Sequence, residues 1–354
     1  MRVTLQEAAD KLMAANKILL TAHINPDGDA LGSTLALRQG LKSLGKVVEV
    51  YIDDRLPRNF AVLPWEERIR RPKEGEKFEA DLLVVLDTAP DRIGKVRNLT
   101  DAPILNIDHH LTNKTEGVYL YVEPSAAATC EIIFNLLHIM EVEIDKNIAN
   151  CLYTGIATDT GFFNYSNSKP STFRAAAELI ECGVEPNIIS EQMEKRTFSE
   201  LKGMNTALNT TRLFYDGKIV GMFIDEELSG KLESTEGFID LIRVIDSVEV
   251  AFLLTCKEKN ICRVSMRSKY LNVSKVANRL GGGGHFKAAG CTLKMGFDEA
   301  KTLLIRSIGE FMVEEGYLLP EDFGEEKETS LKNFEITAIE SPDETIRQMI
   351  IELE

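Results

Sequence analysis

Apolar runs alternate with amphipathic stretches over the first half of the chain. Lys17–His23 (KILLTAH) reads as a strand, and Ala30–Leu44 has helical spacing closed by Gly45. Val47–Ile52 is a second strand, and Ile104–Ile107 another. Asp81–Leu86 (DLLVVL) is a continuous apolar run, the pattern of a strand buried on both faces. Helices are expected over Ala126–Met140, Lys146–Ala157 and Thr172–Cys182. Such alternation implies an α/β domain built on a doubly wound, mainly parallel sheet with helices on both faces.

Around Gly183–Ser199 the pattern changes to a polar helical stretch. Thr211–Phe214 and Ile219–Phe223 then flank an Asp216-Gly217 turn, and Val248–Cys256 and Ile261–Met266 flank Lys257–Asn260, so two hairpins are expected. A helix over Asn272–Leu280, a glycine run and a helix over Asp298–Glu315 complete a smaller mixed-sheet α/β domain. The boundaries expected are residues 1–183 for the first domain, 184–200 for a linker helix, 201–319 for the second domain and 320–354 for an extension. The extension carries weak strand (Phe334–Ala338) and helix (Glu344–Leu353) signals.

Composition narrows the function more than the fold. The 354 residues are 44% hydrophobic and 27% charged, enough to fill two cores. No run reaches the ~20 apolar residues of a membrane span, and the polar, amphipathic N-terminus is unlike a secretory signal, so a cytoplasmic protein without membrane association is expected. Residues 321–354 hold 11 acidic and 3 basic residues, a net −8 of the chain's −15, so the remainder carries −7. A protein that grips a long duplex needs a broad basic footprint, which this charge disfavours; a short phosphate-rich ligand in a local basic pocket stays open. The six cysteines (130, 151, 182, 256, 262, 291) contain no CxxC pair, which argues against a zinc ribbon. Cys130, Cys151 and Cys182 lie in apolar helical patterns and are expected as buried free thiols.

Of the five histidines, His23, His109, His110 and His285 fall at strand or helix ends beside Asp or Gly, and only His138 lies in an apolar helix. His23-Ile-Asn-Pro-Asp-Gly-Asp29 follows a strand and precedes a helix, which places it at the carboxyl edge where open α/β sheets bind ligands. A helix cap by Asp29 and an Asx turn by Asp27 would explain the carboxylates one at a time, but not both together with a histidine. Asp87 directly follows DLLVVL, Asp108-His109-His110 follows ILNI, and Thr158-Asp159-Thr160-Gly161 ends a helical run. Four segments therefore bring acids or imidazoles to element ends that share one rim. Mixed imidazole and carboxylate ligands suit manganese or cobalt better than magnesium. A metal held by such ligands would activate water, with no need of a protein nucleophile. Ser33 and Ser125 lack an evident base.

The set HxxPDGDAxGS, the isolated Asp after a strand, DHH and TDTG resembles the four motifs of the DHH phosphoesterase superfamily across residues 17–165. The resemblance implies a binuclear centre, usually manganese, with cobalt or magnesium as alternatives. Its ligands would be His23, Asp27, Asp29, Asp87, His109 and Asp159, with Asp29 and Asp87 near both ions and His110 beside the bound phosphate. Asp29, Asp87 and His110 would then carry the chemistry, and Asp108 would orient an imidazole.

In the second half, Arg263, Ser265 and Arg267 alternate along one strand face, and Gly281–Gly284 precede His285. Four glycines let backbone N–H groups approach a phosphate, although a flexible hinge would look the same; no GK[ST] follows, so this is no Walker A loop. RVSMRSK…NVSKVANRLGGGGHFKAAG resembles the DHH-associated domain of the nanoRNase and oligoribonuclease branch, extending the likeness to about residue 318. That branch implies Arg267, Ser268, Gly283, Gly284 and His285 as substrate-binding residues. It implies short RNA oligonucleotides, linear dinucleotides such as pApA, and pAp as substrates. A homodimer is compatible with the sequence. An inorganic pyrophosphatase, a RecJ-type exonuclease on longer single strands and a nucleotide-binding sensor without turnover are the alternatives.

Overall fold

A computed structural model describes residues 1–64 and 68–321, with the backbone of 329–330. The chain forms two compact units, Met1–Lys195 and a second from Arg196 onward. The strand and helix signals at 334–338 and 344–353 lie outside the described residues.

The first unit runs α1 (Leu5–Ala14), β1 (Lys17–Thr21), α2 (Gly28–Ser43), β2 (Val47–Tyr51), β3 (Ile69–Arg70), β4 (Leu82–Leu86), β5 (Ile104–Asp108), β6 (Tyr119–Val122), α3 (Thr129–Ile139), α4 (Lys146–Asp159), α5 (Pro170–Glu181) and α6 (Pro186–Glu194). Its strands form one sheet in the order β3-β2-β1-β4-β5-β6, and every pairing is parallel. The order reverses between β1 and β4, which opens a crevice at the carboxyl ends of those two strands. Helix α1 was not foreseen; Thr4 and Glu7 start it with a reciprocal capping box. Strand β6 (YLYV) also escaped, being short and half-buried.

The two sheet faces are unequal. Ile18, Leu20, Val84 and Leu86 pack with the α2, α3 and α4 side chains into the main core. On the opposite face Leu19, Leu83 and Val85 meet Ile93, Val96 and Leu99. That side is covered by two 3₁₀ turns, Pro90–Arg92 and Gly94–Asn98, rather than by long helices. Helices α2 and α4 pack backbone to backbone: a Cβ on Gly32 would lie 2.3 Å from the Cys151 carbonyl oxygen, and one on Gly28 would lie 2.3 Å from Thr158 Oγ1.

The second unit contains α7 (Phe198–Leu208), β7 (Arg212–Phe214), β8 (Ile219–Ile224), α8 (Glu226–Ser229), α9 (Phe238–Ile242), β9 (Val250–Glu258), β10 (Ile261–Ser268), α10 (Val273–Arg279), β11 (Gly283–Gly284), β12 (Ala288–Leu293), α11 (Phe297–Glu314) and β13 (Thr329–Ser330). Its mixed sheet has the order β11-β12-β10-β9-β8-β7-β13, with β8 and β9 parallel and the other pairs antiparallel. Both expected hairpins form. Cys256 and Cys262 face each other across β9 and β10 and are joined by a disulfide. Cys130, Cys151 and Cys291 are buried free thiols, whereas Cys182, at the end of α5, is only half-buried.

Because Gly32 sits where no side chain fits, Gly32→Ala is expected to cost about 1–3 kcal/mol through overpacking. Urea unfolding checks this; a change below about 0.5 kcal/mol, the scale of ordinary surface substitutions, would show that the helices separate freely.

Candidate metal centre

The residues singled out in the first unit converge at the carboxyl edge of β1, β4 and β5. His23 follows β1, Asp87 follows β4, and His109 and His110 follow β5. Asp27 and Asp29 open α2, and Asp159 ends α4. Helix α2 starts at Gly28, so Asp27 rather than Asp29 is its cap: Asp27 Oδ1 accepts the N–H groups of Asp29 and Ala30 at 3.1 and 3.0 Å. Its other oxygen lies 3.8 Å from His23 Nε2. Capping and a role in the cluster thus coexist in one carboxylate.

Both inward imidazoles turn Nδ1 to a backbone carbonyl. His23 Nδ1 donates to the Ile24 carbonyl at 2.9 Å, and His109 Nδ1 makes a longer contact of 3.4 Å to the Ala126 carbonyl. Each Nε2 is thereby aimed at carboxylates, the orientation of metal-ligating histidines. His23 Nε2 lies 3.5 Å from Asp87 Oδ2; His109 Nε2 lies 3.6 Å from Asp87 Oδ1, 3.5 Å from Asp159 Oδ2 and 4.0 Å from Asp29 Oδ2. Among the groups of described residues able to hold a cation are His23, Asp27 and Asp87, then Asp29, Asp87 and His109, and then Asp87, Asp108 and His110. Asp87 is common to these three. Asp29 belongs to the second only, and its two oxygens already accept the Thr129 and Cys130 N–H groups at the start of α3, at 2.6 and 2.7 Å.

Electrostatics make this cluster unfavourable without a cation. Burial, and then the Asp29 charge, push Asp87 well above the usual carboxylate range. Burial alone would lower His23, but the facing Asp27 and Asp87 outweigh it and raise the imidazole to about 11. Asp87 also adopts a left-handed backbone with φ 60°, a conformation that a non-glycine residue keeps only where its surroundings impose it. A divalent ion with nitrogen and oxygen ligands fits this donor set.

His110 is arranged differently. Its Nδ1 donates to Asp108 Oδ1 at 2.7 Å and lies 3.8 Å from Asp87 Oδ1. Burial would raise Asp108, yet the hydrogen bonds from His110 and Asn113 hold it at about 2. Asn113 Nδ2 bonds Asp108 Oδ2 at 2.7 Å and Asn106 Oδ1 at 2.8 Å, and Asn106 Nδ2 donates to the Val85 and Thr88 carbonyls. These asparagines, missed from sequence, tie the loop after β5 to the loop after β4. A lone polar residue inside ILNI was the available signal. Asp53 and Asp54, also missed, brace the rim from the end of β2. Asp54 Oδ2 accepts the N–H of Asn25, whose φ is 54°, at 2.8 Å, and Asp53 Oδ2 accepts the N–H of Lys95 at 2.8 Å.

In the second unit, Arg263, Ser265 and Arg267 do share a face of β10, opposite Thr255, Leu253 and Ala251 of β9. The glycine run is not a slack hinge. Gly283 and Gly284 pair with Gly290 and Ala289 of β12, and a Cβ on Gly282 would fall 2.1 Å from the Gly290 carbonyl oxygen. His285 follows β11 and is exposed. The Ser268 hydroxyl donates to the Leu271 carbonyl, so it fastens a turn.

A parallel sheet with acids and imidazoles gathered at its switch point, followed by a mixed-sheet unit with a glycine-histidine loop, defines the class. The chain belongs to the DHH family of phosphoesterases: residues 17–156 match the DHH family N-terminal domain, and 216–314 match the DHHA1 domain. It is 35% identical over 303 residues to the bifunctional oligoribonuclease and PAP phosphatase NrnA of Thermus thermophilus, covering 85% of this chain and 92% of that protein. Identity to the protein of the same name from Mycoplasma pneumoniae is 26%, over 82% of this chain and 92% of the relative. Among solved structures, an exopolyphosphatase-related protein from Bacteroides fragilis superposes with a TM-score of 0.78 at 25% identity, covering 87% of this chain and 96% of that one. Among the described residues no helix is long and apolar enough to cross a membrane.

Asp54→Ala removes a charged acceptor from the loop that carries His23 and Asp27. Loss of such a hydrogen bond is worth about 1.5–3 kcal/mol, so Mn²⁺ affinity is expected to fall roughly tenfold or more, read by calorimetry. Unchanged affinity would mean that the loop holds its shape without Asp54.

Proposed function

We propose that the chain is a two-metal phosphodiesterase that degrades RNA of a few nucleotides and linear dinucleotides such as pApA to mononucleotides, and removes the 3′-phosphate of pAp. The observation that carries this reading is the position of Asp87, shared by two groups of cation ligands. In it, His23, Asp27 and Asp87 hold one divalent ion, and Asp29, Asp87, His109 and Asp159 hold the other. Manganese suits the mixed nitrogen and oxygen donors, with cobalt or magnesium as substitutes. When bound, such ions neutralise phosphoryl charge and lower the pKa of water for in-line attack.

The chain's own groups do the positioning. To serve as ligands, His23 and His109 would present neutral Nε2 atoms, and His23 would give up the proton it otherwise holds between Asp27 and Asp87. His110, oriented through Nδ1 by Asp108, presents Nε2 to a phosphoryl oxygen. Ser33 is buried and donates its hydroxyl to the Asp29 carbonyl at 2.6 Å, so it supports the ligand loop and is not a nucleophile. Arg267 and His285, with the backbone of Gly283 and Gly284, grip a terminal phosphate, and Ser268 steadies the turn beside them. The names of the NrnA relatives, oligoribonuclease and PAP phosphatase, describe this substrate range. The net charge of −15 also favours short ligands over long nucleic acid.

Incubating Mn²⁺-loaded protein with pApA, with chromatography of the products, tests the reading: AMP is expected, and intact pApA bound without turnover would support a sensor instead. Asp87→Ala is expected to lower turnover at least 10³-fold, on the order of the ~4 kcal/mol lost with a group that serves both ions. Near-normal turnover at saturating manganese would contradict that role. Arg267→Ala is expected to lower kcat/KM for pApA roughly tenfold or more, the scale of a charge-assisted bond, while sparing a chromogenic phosphodiester without a terminal phosphate. Equal losses on both would refute selective recognition of the terminal phosphate.

A further inference from the structure

Two exposed rings stand at the tip where the glycine-histidine loop meets the end of β10. The chain turns from β11 into β12 through a two-residue connection, Phe286-Lys287, closed by the His285 N–H to the Ala288 carbonyl at 2.7 Å and the reverse bond at 3.3 Å. Such turns ordinarily take Asn, Asp or Gly. Here a phenylalanine with 52% of its surface exposed occupies one, and neither turn residue has the positive φ that selects those types. Tyr270, in the turn between β10 and α10, is 70% exposed.

The two turns form one rigid tip. The Ser268 N–H donates to the Lys287 carbonyl at 3.1 Å, and the Val273 N–H to the Phe286 carbonyl at 2.9 Å. Glu249 Oε1 accepts the Tyr270 and Leu271 N–H groups at 2.7 and 2.6 Å. Lys287 Nζ lies 5.8 Å from the centroid of the Tyr270 ring. The backbone is thus held by hydrogen bonds, and neither ring contributes to the hydrophobic core of this unit. Each ring keeps an apolar surface in water, Phe286 between His285 and Lys287 in the chain and Tyr270 near Lys287. A single exposed aromatic residue needs no explanation, but two on one fastened tip, interleaved with cations, have the composition of a single-stranded nucleic-acid platform.

We propose that Phe286 and Tyr270 form a stacking site for a nucleobase of the substrate, next to the phosphate gripped by Arg267 and His285. This deepens the phosphodiesterase reading and rests on it for the identity of the ligand. Stacking uses the π-face that every base has, so adenine and guanine dinucleotides are accepted alike, and the site contributes to binding rather than to the chemical step. Base stacking on an aromatic side chain is worth about 1–3 kcal/mol, roughly 5- to 150-fold in affinity.

Steady-state kinetics of the Mn²⁺-loaded full chain test the proposal with pApA and with an analogue in which one adenine is replaced by hydrogen. Phe286→Ala and Tyr270→Ala are expected to raise KM for pApA at least fivefold with kcat within about twofold, and to leave the abasic analogue unaffected. Phe286→Trp is expected to restore the wild-type KM, and Phe286→Leu is not. Unchanged KM in both alanine variants, or full rescue by leucine, would overturn stacking; a shift in oligomeric mass by light scattering in those variants would assign the rings to a protein contact and overturn it as well. Binding of AMP, followed by calorimetry in the wild type and Phe286→Ala, separates the two claims. If wild-type protein leaves pApA intact yet binds AMP through Phe286, hydrolysis fails and the stacking site stands.

Discussion

The structure of the first unit turns on the burial of Asp87 beside Asp29 at the carboxyl edge of the parallel sheet. Two carboxylates removed from water and set against each other are costly unless something positive shares the space. Each element around them reads as compensation. The N–H groups that open α3 hold Asp29, the Thr129 hydroxyl donates to Asp87 at 3.0 Å, and two imidazoles turn Nε2 inward. Asp87 nonetheless stays well above the usual carboxylate range, and it faces both His23 and His109. A divalent cation in that space would offset the cost of burying its charge.

The strand order makes the arrangement reachable. Placing β1 next to β4 and β4 next to β5 sets three strand ends side by side, so residues far apart in the chain meet without long loops. The close packing of α2 on α4, allowed by Gly28 and Gly32, brings Asp27 and Asp29 toward the end of α4 and Asp159. Fold and site are thus coupled through backbone contact, and small residues at those positions serve geometry before chemistry.

Much of the site could be read from sequence because its residues announce themselves locally: charged or imidazole groups directly after apolar strands, with helical runs following. The alternation of elements likewise disclosed the parallel sheet. What escaped depends on partners distant in the chain. Nothing local marks Asp54 as the brace of Asn25 or Asn113 as the clamp on Asp108, since each acts across loops. The capping role passed from Asp29 to Asp27 because the helix begins two residues before its first apolar position. Strand β12 (AAGCTL) has Thr292 as its one β-branched residue and no aromatic ring to signal a strand; its small residues are explained by the close approach of the glycine run.

A division of labour follows. The first unit gathers charge at one sheet edge, as breaking a phosphate ester requires, and the second carries a glycine-lined loop, arginines on one strand face and exposed rings, the features to which the proposals above give the choice of ester. The central claim is the sharing of Asp87 by two ions, and anomalous diffraction at the manganese edge from crystals grown with Mn²⁺ tests it most directly. Two peaks per chain are predicted, one among His23, Asp27 and Asp87 and one among Asp29, Asp87, His109 and Asp159. A single peak, or peaks that leave Asp87 without a metal contact, would contradict the account.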